Sequence, residues 1–199
     1  MMRILVMQTT RMGDVIQTSP LVRGIRLRHP DAVITMMVRR MGKAVAERIP
    51  DVAEVLTYDE DEMYLHLCAQ DSDRLLQAYE NAEAFIQKLK ERKFDIAYNC
   101  THSVASAMML KLAGIPDVIG AHLSDDWQFV LRGPWTNYFF TSVFHREHND
   151  LNLCDMTRRF VPDAPPEAAL VFEVRDEDRA FAAELLEGHG IAPDDFVVC

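Results

Sequence analysis

Two short polar segments of this sequence carry side chains that can bind a polar ligand or move a proton. The first is TTRMGD at residues 9–14, directly after the apolar run at residues 4–7. The second is THS at residues 101–103, after the apolar stretch that ends at Cys100. A carboxylate such as Asp14 can accept the proton of an attacking hydroxyl. Hydroxyl, imidazole and guanidinium groups hydrogen-bond to polar ligands.

Each of these residues also has a purely structural interpretation. An Asp at the start of a helix satisfies free backbone N–H groups, and on local evidence alone this is the more frequent role for Asp14. Gly13 can serve the turn, and His102 can be a hydrogen-bonded, half-buried histidine. Ser103 can be a helix N-cap, and Arg11 a solvated arginine. The local pattern leaves both sets of roles open.

The hydrophobic pattern predicts an α/β protein in which strands alternate with helices. Strands are predicted at 3–8, 32–38, 54–58, 94–100, 118–120 and 169–174. Helices are predicted from the glycine turn at 13 to about 29, and at 40–49, 72–92, 103–113, 146–160 and 176–187. Pro20 implies a kink or a new helix start capped by Ser19. Residues 59–71 are interpreted as acidic and irregular, and residues 121–142 as a long structured loop.

Such an alternation implies right-handed crossovers and a doubly wound, Rossmann-like parallel sheet. The two polar turns then open on the same edge, where α/β sheets bind their ligands. Prolines at 162, 165 and 166 predict a stiff linker, and residues 195–199 look like the opening of a further strand. We therefore expect three regions: a domain at 1–161, a linker with a crossing strand at 162–175, and the start of a truncated second domain at 176–199.

Composition and charge narrow the class of protein. The chain has 199 residues, 49% of them hydrophobic and 26% charged, as in ordinary globular proteins. No apolar run approaches the ~20 residues that span a bilayer, and residues 4–7 are too short for a signal peptide, so we expect a cytoplasmic protein. Residues 1–50 hold nine Lys or Arg and three Asp or Glu, within a chain of net charge −10. This polarity either steers an anionic partner or is a chance distribution.

Several familiar sites are missing from the sequence. There is no G-x-G-x-x-G after the first strand and no P-loop, which excludes those nucleotide-binding fingerprints. The four cysteines are scattered, and His145 and His148 have no evident third ligand. We expect no metal, no bound cofactor and no nucleic-acid partner.

Two segments in order resemble glycosyltransferase family 9, the ADP-heptose:lipopolysaccharide heptosyltransferases. They are RILVMQTTRMGDVIQTSPLVRGIRLRHPDAVITMMV from residue 3 and FDIAYNCTHSVASAMMLKLAGIPDVIG from residue 94. The first segment matches the family pattern at Gly13, Asp14, Thr18, Pro20, Leu21, Arg26 and Pro30. The chain departs from it at Gln8, where the family commonly has Lys or Arg, and at Arg11, where it commonly has a small residue. Residues 59–71 and 121–142 match no feature of the family.

The resemblance implies the N-terminal, acceptor-binding half of a two-domain GT-B transferase. It implies inverting transfer of a heptose from ADP-heptose to an acidic glycolipid acceptor of the lipopolysaccharide inner core. Asp14 would be the general base, and the acceptor-binding residues would be Thr9, Thr10, Arg11, Gly13, Thr18, Thr101, His102 and Ser103. The nucleotide sugar would bind mainly to the missing domain, so the fragment alone is expected to be inactive.

The basic first segment has a use in this scheme. Arg11, Arg39, Arg40 and Lys43 would face the acidic acceptor or contact the inner face of the membrane peripherally. Two alternatives stay open: a family 9 enzyme that acts on another cell-surface glycan, and a non-catalytic α/β binding or scaffold domain.

Overall fold

The computed structural model describes residues 1–59, Cys68 and residues 71–192. Its centre is a six-stranded sheet of order β3-β2-β1-β4-β5-β6, in which the first five strands are parallel and β6 is antiparallel to β5. The strands are β1 (Arg3–Met7), β2 (Val33–Arg39), β3 (Glu54–Tyr58), β4 (Ile96–Asn99), β5 (Asp117–Leu123) and β6 (Phe129–Arg132). The predicted α/β fold with a parallel-dominated sheet is confirmed.

Helices cover both faces of the sheet. They are α1 (Met12–Gln17), α2 (Ser19–Arg28), α3 (Lys43–Ala46), α4 (Ser72–Glu91), α5 (Val104–Leu112), α6 (Pro134–Phe144), α7 (Leu153–Arg158) and α8 (Asp176–Gly188), with 3₁₀ turns at Arg40–Gly42 and Arg146–His148. Side chains alternate between the two faces of a strand. Ile4 and Val6 therefore enter one buried cluster with α2, while Leu5 and Met7 enter the other with α4 and α5.

The region predicted as one helix around Pro20 is two helices. α1 ends at Gln17 and α2 begins at Ser19, so the alternative of a new helix start is confirmed. The predicted cap is wrong, because Thr18 occupies the N-cap position of α2. Ser19 is the first helical residue, and its hydroxyl accepts a hydrogen bond of 3.0 Å from the backbone N–H of Val171.

The interpretation of residues 121–142 as a loop is wrong. β5 continues to Leu123, a tight turn leads to the edge strand β6, and α6 starts at Pro134 after Gly133, whose φ is +108°. The aromatic residues of α6 show no helical period because they are only partly buried. Its buried positions are the polar Thr136 and Ser142, so the helix lacks the apolar stripe by which a helix is recognised in a sequence.

Two further predictions near the end of the described chain are wrong. The helix expected at 146–160 is a 3₁₀ turn followed by the short α7, which Asn152 caps by accepting from the N–H of Asp155 at 2.9 Å. Residues 169–174 form no strand, although the Glu173 N–H donates to the carbonyl of Arg48 at 2.8 Å. Most of the segment 59–71 and the strand expected at 195–199 lie outside the described residues.

Gly120 provides a test of how tightly β4 and β5 approach each other. Its φ is +104°, and a Cβ at this position would lie 2.3 Å from the carbonyl oxygen of Asn99. We expect Gly120→Ala to lower the free energy of unfolding by more than about 3 kcal/mol, because backbone strain and a clash with main chain combine. Chemical denaturation measures the change.

Gly114→Ala is the matched control. Gly114 has φ +71°, and a Cβ added there would meet nothing within 4 Å, so the substitution adds backbone strain alone. We expect a cost of about 1 kcal/mol. Equal losses for both variants would show that the contact with Asn99 is not the limiting constraint.

Candidate active site

The two polar turns meet at the carboxyl edge of the sheet. β1 and β4 are paired neighbours, so the residues that follow them emerge side by side. The backbone N–H of Thr9 donates to Oγ1 of Thr101 at 3.0 Å, and the two hydroxyl oxygens lie 3.2 Å apart. The expectation that both turns open on one edge is confirmed.

Asp14 lies in the first turn of α1 and is half-buried. Its Oδ2 lies 2.7 Å from Oγ1 of Thr10 and accepts a longer hydrogen bond of 3.4 Å from the backbone N–H of Arg11. Arg11, and not Asp14, occupies the N-cap position. Oδ1 of Asp14 makes no hydrogen bond to any described residue. One carboxylate oxygen is therefore held by the turn and the other is free to meet a ligand.

Gln8 and Thr18 support the turn that carries Asp14 from inside the core. Both side chains are buried, and Nε2 of Gln8 donates to Oγ1 of Thr18 at 3.3 Å. The Thr18 hydroxyl donates to the backbone carbonyl of Asp14 at 2.7 Å. Thr18 is fully buried, so it supports the turn from below and does not reach the surface. The sequence interpretation did not include Gln8 among the site residues.

Asn99 organises the second turn and was also missed from the sequence. It is fully buried at the end of β4, and its Nδ2 donates to Oγ of Ser106 at 2.9 Å and to the carbonyl of Ala121 at 2.7 Å. Its Oδ1 accepts from the N–H of Thr101 at 3.0 Å. A buried Asn with three partners ties β4, β5 and α5 to the turn. The one feature of the sequence that indicates this role is an amide side chain at the end of an apolar strand.

Ser103 is engaged as the N-cap of α5. Its hydroxyl accepts from the N–H of Ser106 at 3.0 Å, and Oγ of Ser106 accepts from the N–H of Ser103 at 3.2 Å. This reciprocal arrangement satisfies two free N–H groups of the helix. Gly13, in contrast, is exposed, and a Cβ there would meet nothing within 4 Å. The described chain leaves the surface above Gly13 open to a ligand.

His102 is half-buried and packs against aromatic rings. Its φ is +56°, and its ring centroid lies 4.6 Å from that of Phe139 and 6.3 Å from that of Phe160. Nδ1 lies 2.9 Å from the carbonyl of Cys100, an acceptor, so Nδ1 carries the proton. Nε2 is buried and has no hydrogen-bond partner among the described residues. Burial lowers the pKa of His102 from 6.5 to about 4, so the ring is neutral at pH 7.

The remaining candidate groups do not supply a nucleophile or a metal site. Cys100 lies beside the turn, but burial raises the pKa of its thiol to about 12, so it holds no thiolate at neutral pH. No cluster of three or more His, Cys, Asp or Glu side chains suited to a metal ion occurs in the described part of the chain. Asp14 is the only carboxylate within the two turns, residues 9–14 and 101–103.

Most of the positive charge of the first fifty residues is matched within the chain. Arg40 pairs with Asp59 at 3.3 Å and Lys43 with Glu47 at 3.7 Å. Further pairs join Arg23 and Arg26 to Asp51, and Arg48 to Glu177 and Asp178. Arg11 is exposed, and its guanidinium has no hydrogen-bond or ion-pair partner within residues 1–59, Cys68 or 71–192. It is the cation that the first turn presents beside Asp14.

A cavity of about 530 Å³ lies between the start of α6 and residues 158–164. Arg132 in its wall pairs with Asp117, the first residue of β5. The cavity contains none of the predicted site residues, and its other two arginines, Arg158 and Arg159, lie beside Asp155. We assign the candidate site to the carboxyl edge because the groups able to move a proton are there.

Comparison with solved structures places this arrangement in a known fold. A glycosyl transferase family 9 structure from Veillonella parvula DSM 2008 superposes with a TM-score of 0.70 at 17% identity, over 98% of this chain and 51% of that chain. The chain has the fold of half of that transferase. The E. coli ADP-heptose LPS heptosyltransferase II gives a TM-score of 0.60 at 16% identity, over 97% and 52% of the two chains. E. coli heptosyltransferase WaaC with ADP gives 0.56 at 19%, over 83% and 48%.

The chain thus spans about half the length of the solved structures that it matches. Its sequence matches no protein-family model and no curated protein. No helix in the described residues has the length and apolar character needed to cross a membrane.

The half-buried, neutral His102 gives the protein a specific pH dependence. In the unfolded chain His102 takes up a proton below pH 6.5, whereas in the folded chain it takes up the proton only near pH 4. The stabilisation from His102 is therefore complete above pH 6.5 and is lost as the pH falls through this window. We expect a loss of roughly 3 kcal/mol in the free energy of unfolding from this group, measured by urea denaturation between pH 7 and 4.

His102→Asn isolates this effect from the titration of carboxylates, because Asn does not titrate and tolerates a positive φ. The stability of the wild type should fall towards that of the variant as the pH decreases. Parallel pH profiles for the two proteins would contradict the assignment of a buried neutral histidine.

Proposed function

We propose that this chain is the acceptor-binding half of a family 9 glycosyltransferase and that Asp14 is its general base. The observation that carries the proposal is the geometry of Asp14, one oxygen of which is held by its own turn while the other is free. It stands at the carboxyl edge of a doubly wound sheet, where such folds bind ligands. It also forms the Gly-Asp pair in which the sequence resembles the family.

The proposed reaction is inverting transfer of a heptose from ADP-heptose to an acidic inner-core acceptor. Oδ1 of Asp14 accepts the proton of the acceptor hydroxyl as that oxygen forms its bond to the anomeric carbon. The bond between the anomeric carbon and the phosphate oxygen breaks, and ADP leaves with the electron pair. In this chain the turns orient the acceptor, through the exposed surfaces of Thr10, Arg11 and Gly13 and the adjacent Thr101.

The other parts of the assignment belong to the same proposal. Residues 1–161 would form the acceptor domain of a GT-B enzyme, residues 162–175 the linker, and residues from 176 onward the start of the domain that binds the nucleotide sugar. Peripheral contact with an anionic membrane surface rests mainly on Arg11, since Arg40 and Lys43 have acidic partners in the chain. The name of one matched structure, the E. coli ADP-heptose LPS heptosyltransferase II, supports the choice of donor and acceptor class.

Asp14→Asn tests the catalytic role directly. The amide oxygen of Asn can still accept from Thr10 and from the Arg11 N–H, so the turn is retained, but the amide has no useful basicity. We expect turnover in the protein expressed from its complete reading frame to fall about 10²–10⁴-fold with an unchanged melting temperature. ADP release from ADP-heptose with an inner-core acceptor measures the turnover.

Asp31→Asn is the matched control, an identical change at an exposed position outside the site. It should leave turnover unchanged. If Asp14→Asn keeps its turnover within a few-fold of the wild type, Asp14 serves only to cap the helix. If the wild-type protein shows neither ADP release nor glycosyl transfer with any cell-surface acceptor offered, the scaffold alternative is favoured.

Arg11→Gln tests whether the unpaired guanidinium binds the anionic acceptor. We expect the KM for the acceptor to rise about tenfold while kcat changes little, because the interaction is present in the ground state as well as in the transition state. The effect should weaken as salt is added. Arg132→Gln, which removes the same charge outside the two turns, should leave the KM unchanged. An equal rise in KM for both variants would indicate an effect of net charge alone.

A further inference from the structure

The Thr10 hydroxyl lies between two acceptors at the same distance. Its oxygen is 2.7 Å from Oδ2 of Asp14 and 2.7 Å from Oε1 of Gln8. A hydroxyl has one proton, so it donates fully to one of them at a time. The other contact then brings together two oxygen atoms with no proton between them. The direction of the Thr10 hydroxyl must therefore depend on which acceptor is the stronger.

The orientation of the Gln8 amide is determined by its neighbours. The Thr18 hydroxyl uses its proton on the backbone carbonyl of Asp14 at 2.7 Å, so its oxygen can only accept from Gln8, and the amide nitrogen must face it. The backbone N–H of Thr10 points at the other amide atom at 3.4 Å, which must then be the oxygen. A flipped amide would lose both interactions. Gln8 thus presents a buried carbonyl oxygen to the Thr10 hydroxyl.

We propose that Gln8 is a positioning residue for Asp14 and acts through Thr10, an inference that rests on the proposed general-base role of Asp14. While Asp14 is ionised, Thr10 donates to it, because hydrogen bonds to a charged acceptor are the stronger ones. Once Asp14 holds a proton, it is a weaker acceptor than an amide oxygen, and Thr10 turns its proton to Gln8. Each protonation state of Asp14 therefore leaves the Thr10 proton with one acceptor, while the other 2.7 Å contact holds no proton.

The reorientation of the Thr10 hydroxyl assists proton transfer to Asp14, but Thr10 itself gives up no proton. The acceptor O–H bond breaks towards Asp14 while the glycosidic bond forms and the nucleoside diphosphate leaves with its electron pair. The Thr10 proton rotates about its own C–O bond and is transferred to nothing. Without the carbonyl of Gln8, Thr10 donates to Asp14 throughout, and this hydrogen bond opposes the uptake of the proton. Gln8 should therefore affect kcat and leave acceptor affinity unaffected.

A double-mutant cycle on Gln8 and Thr10 tests the inference. In the protein expressed from its complete reading frame, Gln8→Met should lower kcat roughly five- to tenfold with the KM for the acceptor within about twofold. Thr10→Val should lower kcat at least as much, because it also removes the hydroxyl that holds Oδ2 of Asp14 in position. The double variant should be no slower than Thr10→Val, because Gln8 has no route to Asp14 once the hydroxyl is absent. Thr10→Ser, which keeps the hydroxyl, should restore kcat to within about threefold of the wild type.

The outcomes separate this inference from the proposed function. A wild-type kcat in Gln8→Met, or losses that multiply in the double variant, overturns the role of Gln8 even when Asp14→Asn is inactive. An active Asp14→Asn overturns the general base itself. If Gln8→Met does not fold, Gln8→Leu takes its place in the cycle. A Thr10→Val protein with wild-type kcat overturns the role of the Thr10 hydroxyl, whatever the Gln8 variants show.

Discussion

The burial of β1 on both faces is the constraint on which the candidate site depends. Ile4, Leu5 and Val6 are fully buried in succession, which is possible only for a strand with neighbours on both sides and helices on both faces. β2 and β4 pair with β1 in parallel, so their carboxyl ends share one edge. Thr9 and Thr101, ninety-two positions apart, meet there through a hydrogen bond of 3.0 Å.

The turn after β1 shows that a structural and a catalytic role for Asp14 are compatible. Capping uses only Oδ2, through Thr10 and the Arg11 N–H. Gln8 and Thr18 hold this turn from within the core, so hydrogen bonds inside the chain position the carboxylate. A site prepared in this way loses little conformational freedom on binding, which is the general advantage of preorganisation.

The free positive charge at the site depends on which side chains form ion pairs in the fold, and not on the composition of the segment. The basic first segment of the chain is largely neutralised by acids that lie close only in the fold, such as Asp51 for Arg23 and Asp178 for Arg48. Exposed ion pairs contribute little stability, but they remove free positive charge from the surface. The cation left beside the free oxygen of Asp14 is Arg11, on the same turn.

The sequence by itself determined the alternation of strands and helices as far as β5. It also determined the two turns with their candidate groups, because both features are local patterns of burial. It did not determine β6 or α6, whose aromatic residues are half-buried at the sheet edge and therefore show no period. Nor did it reveal the roles of Gln8 and Asn99, whose hydrogen-bond partners come from other elements or from the far side of a turn. Only the tertiary structure decided that His102 is buried against Phe139 and neutral, because that depends on a helix that the sequence pattern concealed.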